Sequence, residues 1–199
     1  MEGIKQKIST LIKTTLHIKN MVCDRCKMAV QTQIENVGLK AGKIELGEIE
    51  IIGELNDIRR ESLKQGLKQI GFELIDDGNA KTVERIKNAI VELVHYAQDE
   101  LKVNYSSYIA DKLGKDYTYL SNLFSDFEGT TIEKFIIRQK IERAKEMLEY
   151  GDLTLSQIAD RLGYSNVAYL SSLFKKVTGL TPSQYKESNL KSRKSLDKV

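Results

Sequence analysis

The chain is 199 residues long, 41% hydrophobic and 30% charged, with a formal net charge of +3. That length and apolar content allow one or two domains with buried cores. The sequence contains no run of 18 apolar residues and so no candidate membrane-spanning helix. Residues Met1 to Thr15 carry lysines but no apolar central segment and no small-residue cleavage site, so no secretory leader is read. A cytoplasmic location is expected, where the two cysteines stay reduced and form no structural disulfide.

Composition changes along the chain. All nine tyrosines lie at Tyr96 or later, whereas both cysteines, Cys23 and Cys26, lie near the start. This segregation points to two domains, and the polar turn formers Asp76-Asp77-Gly78-Asn79 mark the boundary between residues 1–78 and 79–188. Residues 1–78 hold 12 basic and 12 acidic side chains, and residues 79–185 hold 14 of each. The positive excess therefore falls on the tail from Lys186 onward, where residues 189–199 include Lys191, Arg193, Lys194 and Lys198.

The N-terminal half shows period-two patterning, in which Leu16 and Ile18 alternate with His17 and Lys19. Cys26 to Glu35 reads as a helix with Ala29, Val30, Gln33 and Ile34 on adjoining positions. Ile44 to Ile51 alternates on both sides of Gly47 and reads as a hairpin. Asp57 to Ile70 reads as a second helix burying Leu63, Leu67 and Ile70, and Phe72 to Ile75 as a last short strand. The order is βαββαβ, the ferredoxin-like plan, so the whole chain is of the α+β class.

Asn20-Met21-Val22-Cys23-Asp24-Arg25-Cys26 falls on the loop between the first strand and first helix, with Ile70-Gly71-Phe72-Glu73 later in the chain. Two cysteines at i and i+3 opening a helix place both sulfurs on one side, near amide dipoles that favour thiolate. These segments are similar to the heavy-metal-associated domain of copper chaperones and metal-pumping ATPases, over about residues 12–76. The resemblance implies a soft-metal site at Cys23 and Cys26, taking Cu(I), or Zn(II) if further ligands are recruited. The chain departs from that family, which usually has glycine where Asn20 stands and small residues where Asp24 and Arg25 stand. Arg25 repels a cation, and Asp24 offers an oxygen ligand that favours zinc. Met21 is read as packing under the loop, and His17 and His95 as structural or surface residues rather than ligands.

The C-terminal half opens with Val83, Ile86, Ile90, Leu93, Ala97 and Leu101 at spacings of three and four, an amphipathic helix over 82–101. A motif then occurs twice. The first copy runs Ser107 to Gly114, Tyr119 to Phe124 and Gly129 to Thr131; the second runs Ser156 to Gly163, Tyr169 to Phe174 and Gly179 to Thr181. The offset is 49 before each turn and 50 after it, so the second turn holds one extra residue. Each copy reads as helix, glycine, turn, helix, the helix-turn-helix pattern. Helices are predicted over 106–113 and 117–127, the latter burying Leu120, Leu123 or Phe124, and Phe127. A long helix follows over 132–150, with Ile137, Ile141, Ala144 and Leu148 on one side, and then helices over 155–162 and 166–178. Asp116 can cap one reading helix, and Ser165 or Asn166 the other. Tyr119 and Tyr169 are read as packing residues, and Glu142 with Lys145 or Glu146 as a solvated face.

Residues 80–188 resemble the DNA-binding domain of the AraC/XylS family, most specifically over Ile158 to Ser165 and Tyr169 to Tyr185. The first copy departs from it at Ser125-Asp126-Phe127-Glu128. The resemblance implies that helices 117–127 and 166–178 enter two successive major grooves, about 34 Å apart on one face of double-stranded DNA. It places Tyr117, Thr118, Ser121 and Asn122 against bases in the first unit, and Asn166, Val167, Ala168, Ser171 and Ser172 in the second. Asn122 suits an adenine edge, and Val167 or Ala168 a thymine methyl. Lys175 and Lys176 would hold phosphates. Neither helix offers an arginine, so an A·T-leaning or shape-read site is expected.

The reading is a cytoplasmic, non-enzymatic transcription regulator with double-stranded DNA as partner, RNA polymerase as a further candidate partner, and Cu(I) or Zn(II) as candidate metal. It is expected to be a monomer, with a homodimer through the N-terminal domain as the alternative. Competing readings are a protein-interaction module without metal, a metal carrier and a thiol protein.

Overall fold

The computed structural model describes residues 12–97, 104–188 and 193–199, in two compact units, Met1–Asn88 and Ala89–Val199. In the first, strands β1 (Lys13–Lys19), β2 (Lys40–Glu45), β3 (Glu48–Ile52) and β4 (Glu73–Ile75) form one sheet in the order β2-β3-β1-β4. Every pairing is antiparallel, with Leu16 opposite Ile49 and His17 opposite Ile75. Helices α1 (Asp24–Asn36) and α2 (Asp57–Gln69) supply Val30, Ile34, Leu63 and Leu67 to a core shared with Leu16, Ile18, Met21, Ile49 and Ile51. Alternation along the strands puts those strand residues on one face, where the helices cover them.

Gly47 turns the β2–β3 hairpin at φ +77°, and an added Cβ there would lie 2.1 Å from the Asn88 amide, so only glycine fits. Ile70, expected inside, is 41% exposed. It is the C-cap of α2, where the chain leaves the helix and the i, i+3, i+4 face no longer directs the side chain inward.

Helix α3 (Gly78–Val91) begins earlier than the predicted 82 and runs across the division between the units. The division falls inside α3, beyond the predicted turn at 76–79, because much of the helix is bonded to the first unit. Glu84 accepts the Asn20 backbone N–H at 3.0 Å, Asn88 donates to the Leu46 carbonyl at 3.2 Å, and Arg85 pairs with Glu48 at 2.9 Å. A π turn, Glu92–Tyr96, then replaces the expected regular helix. Its wider winding rotates later side chains out of the 3.6-residue register. Val94 and His95 are buried, whereas Leu93 is half-buried and Ala97 exposed. Leu101 lies outside the described residues.

The second unit continues with α4 (Tyr105–Leu113), α5 (Tyr117–Glu128), α6 (Ile132–Tyr150), α7 (Leu155–Arg161), α8 (Val167–Thr178) and α9 (Pro182–Glu187). The central helix α6 buries Ile132, Phe135, Ile136, Ile141, Ala144 and Leu148. Glu142 and Lys145 are not solvated as expected; they are 4% and 5% exposed and paired at 2.7 Å. The reason is the end of the chain, which folds over them: the Lys194 N–H donates to Glu142 at 3.0 Å, and Arg193 reaches Glu146 at 3.4 Å. A buried pair satisfied in this way offsets its desolvation cost with added hydrogen bonds.

Candidate functional site

The two helix-turn-helix units are built by the same local devices. Asn104 caps α4, and Thr154 caps α7 with a capping box through Gln157. Asp116 caps α5 by accepting the Tyr119 N–H at 3.0 Å, and Asn166 caps α8 by accepting the Tyr169 N–H at 2.8 Å. Both of these second helices end on a glycine with positive φ, Gly129 and Gly179. Thr131 and Thr181, the last residues of the two motif copies, cap the next helices, and the repeat extends beyond the motif: the edge-to-face pair Phe124–Phe135 recurs as Phe174–Tyr185, at 5.6 and 5.5 Å. The signal was present in the sequence as the offset of 50 between Phe135 and Tyr185.

The turns differ. After Gly114 the first copy has only Lys115 before its cap, whereas the second has Tyr164 and Ser165 after Gly163. The extra length is absorbed by Tyr164, which turns inward to 9% exposure and packs edge-on against Tyr169 at 5.8 Å. Its ring lies 4.8 Å from Lys140 Nζ, and the Tyr105 ring lies 5.0 Å from the same ammonium. Lys140 on α6 thus sits between one tyrosine of each helix-turn-helix unit. Burial pulls its pKa down to about 8, and no acidic partner stands beside it among the described residues. Cation–π attraction is what compensates that desolvation. Burial likewise pushes both tyrosine hydroxyls up, and neither finds a hydrogen-bond partner among the described residues.

On α5, Thr118 and Asn122 are exposed while Tyr117 and Ser121 are half-buried; on α8, Ala168 and Ser172 are exposed and Val167 and Ser171 half-buried. Asn166 is exposed, but its carbonyl oxygen is spent on the cap and its amide donates to the Ser165 hydroxyl at 3.4 Å. Lys175 and Lys176 are exposed. Tyr119 and Tyr169, read as packing residues, are 45% and 52% exposed, because the residue before a buried Leu120 or Leu170 points about 100° away from it. Phe127, expected inside, is 51% exposed, and its counterpart Val177 is 42% exposed, so the repeat leaves this position open in both copies.

Beside α8 lies an open groove of about 500 Å³ rimmed by Lys134, Arg138, Lys176, Lys194 and Lys198. These cations come from α6, α8 and the chain end, so the positive tail joins side chains of the charge-balanced region in one locally basic face. Charge counting along the sequence misses it, since the residues converge only in three dimensions.

In the first unit, Cys23 is the N-cap residue of α1, and its sulfur lies 3.1 Å from that of Cys26. Burial, then the neighbouring thiol, pushes the Cys26 thiol up. No third His, Cys, Asp or Glu joins them to form a metal cluster among the described residues. The Asp24 carboxylate, considered as a zinc ligand, is paired instead with Lys27 at 2.9 Å. The Asn20 backbone has φ +71°, the conformation for which glycine is usual and which asparagine tolerates. Its side chain donates to the Gly71 carbonyl at 3.1 Å.

Residues 109–188 match the helix-turn-helix domain family. That match takes in both helix-turn-helix units of the C-terminal half and less than half of the whole chain. The chain is 24% identical over 169 residues to the xylose operon regulatory protein of Escherichia coli K12, covering 70% of this chain and 42% of that protein. It is 28% identical over 150 residues to the uncharacterized transcriptional regulatory protein YesN of Bacillus subtilis, covering 72% and 41%. Against the probable transcription factor PqrA of Proteus vulgaris it is 26% identical over 104 residues, covering 51% of this chain and 85% of the other. The chain thus spans less than half the length of the first two relatives. Among solved structures it is similar to the C-terminal domain of AraT, a response regulator from Geobacillus stearothermophilus, at 26% identity and a TM-score of 0.49, covering 58% of this chain and 92% of that one. No helix among the described residues is long and apolar enough to cross a membrane.

Proposed function

We propose that this chain is a DNA-binding transcription regulator whose AraC-type domain reads two successive major grooves with α5 and α8. The carrying observation is the duplicated unit itself: two reading helices with the same caps and the same aromatic support, joined by one continuous helix, α6. Tyr117, Thr118, Ser121 and Asn122, and Asn166, Val167, Ala168, Ser171 and Ser172, face bases. Lys175, Lys176 and the cations around the groove hold phosphates. Two reading helices in one chain make a dimer unnecessary. The test is footprinting on duplexes selected from a random pool. Two protected patches about 10 base pairs apart on one face, without palindromic symmetry, support the reading. A palindrome bound only by dimers overturns it.

The first unit serves as an input module of ferredoxin-like plan, a reading that rests on its strand order β2-β3-β1-β4. Cys23 and Cys26 fit a soft monovalent cation such as Cu(I), which two thiolates can hold. They do not fit Zn(II), which wants four donors where two stand together. Bound there, such a cation supplies charge that the two thiolates neutralise.

A further inference from the structure

Helix α3 is the covalent route from the first unit into the AraC-type domain, and its N-terminal part is docked at one end of the sheet. That end gathers the loop bearing Cys23, the first turn of α1 with Cys26, the β2–β3 hairpin turn and the turn at Gly71. The docking is by specific bonds. The Glu84 carboxylate, on a residue 6% exposed, accepts the Asn20 N–H at 3.0 Å, and Asn88 reaches the Leu46 carbonyl at 3.2 Å. Asn20 is separated from Cys23 by only Met21 and Val22, and Met21 is fully buried. A displacement of Cys23 is therefore passed to Asn20 rather than absorbed by a loose loop.

The two sulfurs stand side by side at 3.1 Å, and a metal or a disulfide moves them in opposite directions. Two thiolates on a tetrahedral ion with bonds of ~2.3 Å stand roughly 3.8 Å apart, wider than the observed separation. A disulfide needs ~2.05 Å, about 1 Å closer than the 3.1 Å seen. We infer that Cys23 and Cys26 form a reversible disulfide site, and that Glu84 transmits its redox state through α3 to the DNA-binding half. The inference rests on the reading of the first unit as an input module.

The chemistry balances with a peroxide as oxidant. One thiolate attacks a peroxide oxygen, the O–O bond breaks, and a sulfenic acid and water form after protonation. The second thiolate attacks the sulfenic sulfur, the S–S bond forms, and a second water leaves. Two thiols and one hydrogen peroxide give one disulfide and two waters; an external dithiol reverses the change. Closing the sulfurs tightens the first turn of α1 and draws Cys23, whose carbonyl accepts the Lys27 N–H at 3.2 Å, away from its present place. The Asn20–Glu84 bond is the strained link.

The experiment compares the full-length chain, reduced and then treated with hydrogen peroxide. Mass spectrometry reads the disulfide, hydrogen exchange reads the Asn20 amide, and anisotropy reads affinity for a duplex selected on the reduced protein. In the wild type, oxidation should remove two hydrogens at Cys23–Cys26, lower protection of the Asn20 amide and shift DNA affinity by roughly 5- to 150-fold. Reduction should restore both. Cys23→Ser/Cys26→Ser should not respond. Glu84→Ala should form the disulfide yet show less than about a twofold shift, while Glu84→Gln, which keeps the acceptor, should respond like the wild type. Absence of the disulfide overturns the inference, as does unchanged Asn20 protection in the oxidised wild type or a full affinity shift in Glu84→Ala. The exchange measurement needs no DNA, so it decides the coupling even if the reduced protein binds no duplex, an outcome that would instead overturn the DNA-binding proposal.

Discussion

The two helix-turn-helix units share a scaffold but differ in charge at both ends of their reading helices. Helix α5 starts on the carboxylate of Asp116 and finishes with Asp126 and Glu128; α8 starts on the neutral Asn166 and finishes with Lys175 and Lys176. A helix N-terminus attracts phosphate through its free N–H groups and dipole. A carboxylate placed there cancels part of that attraction, and an amide cap does not. The basic groove also adjoins α8. On the proposed DNA-binding reading, one fold would carry a strong head and a weak one, and the difference lies in a few surface residues that the core does not constrain.

The largest expected effect breaks the strong head. Ser171→Glu puts a carboxylate against bases and phosphates and should cost at least about 4 kcal/mol, the lower end of the gap between specific and non-specific binding. Ser121→Glu, at the matching place on α5, should cost about 1.4 kcal/mol, tenfold in affinity. Equal losses by fluorescence anisotropy would show that the two heads contribute alike.

A second test asks whether α6 is a rigid spacer common to both heads. His95 donates to or accepts from Gln139 on α6 at 2.9 Å, and burial lowers its pKa from 6.5 to about 4. The folded state therefore holds a neutral imidazole that the unfolded chain protonates more readily. Stability from this site is complete above pH 6.5 and is lost as pH falls toward 4, by on the order of 3 kcal/mol. Thermal melts of His95→Gln should lack that part of the acid slope; an unchanged slope would place the loss elsewhere.

Lys140 tests the link between the heads more directly. Lys140→Met keeps the volume and removes the cation shared by Tyr105 and Tyr164. Stability should change by less than about 1 kcal/mol, since a buried charge and its compensation vanish together. Affinity for the full site should fall about fivefold, a coupling of about 1 kcal/mol, while affinity for an isolated half-site holds. Parallel losses on both would refute the spacer role.

The smallest effects sharpen the charge argument. Lys175→Ala should weaken binding on all sequences alike and lower the salt slope by about one. Asp116→Asn should raise affinity by a few-fold, worth about 0.3–1 kcal/mol, and bring α5 closer to α8. A fall in affinity for Asp116→Asn would show that the carboxylate is needed.

Local interactions were legible in the sequence. The caps Asp116 and Asn166 accept from an N–H three residues on, and Gly114, Gly129, Gly163 and Gly179 supply positive φ, so element positions follow from nearest neighbours alone. The hairpin at Gly47 was legible for the same reason. Tyr119 and Tyr169 are about half exposed, yet Tyr169 packs against Tyr164 and Tyr119 lies under Lys115, partners that no local spacing announces.

The amino-acid order by itself thus determined the duplicated helix-turn-helix, the helix stops and the cysteine spacing, all matters of short separation along the chain. Tertiary structure alone decided what depends on distant residues. It buried Glu142 and Lys145 beneath Lys194 and set Lys140 between Tyr105 and Tyr164. It gathered the basic groove from α6, α8 and the chain end, and it brought Glu84 onto the Asn20 N–H. The physical reason is that burial and ion pairing are fixed by which surfaces meet, and those surfaces are 50 or more positions apart in the cases of Asn20 with Glu84 and Glu142 with Lys194.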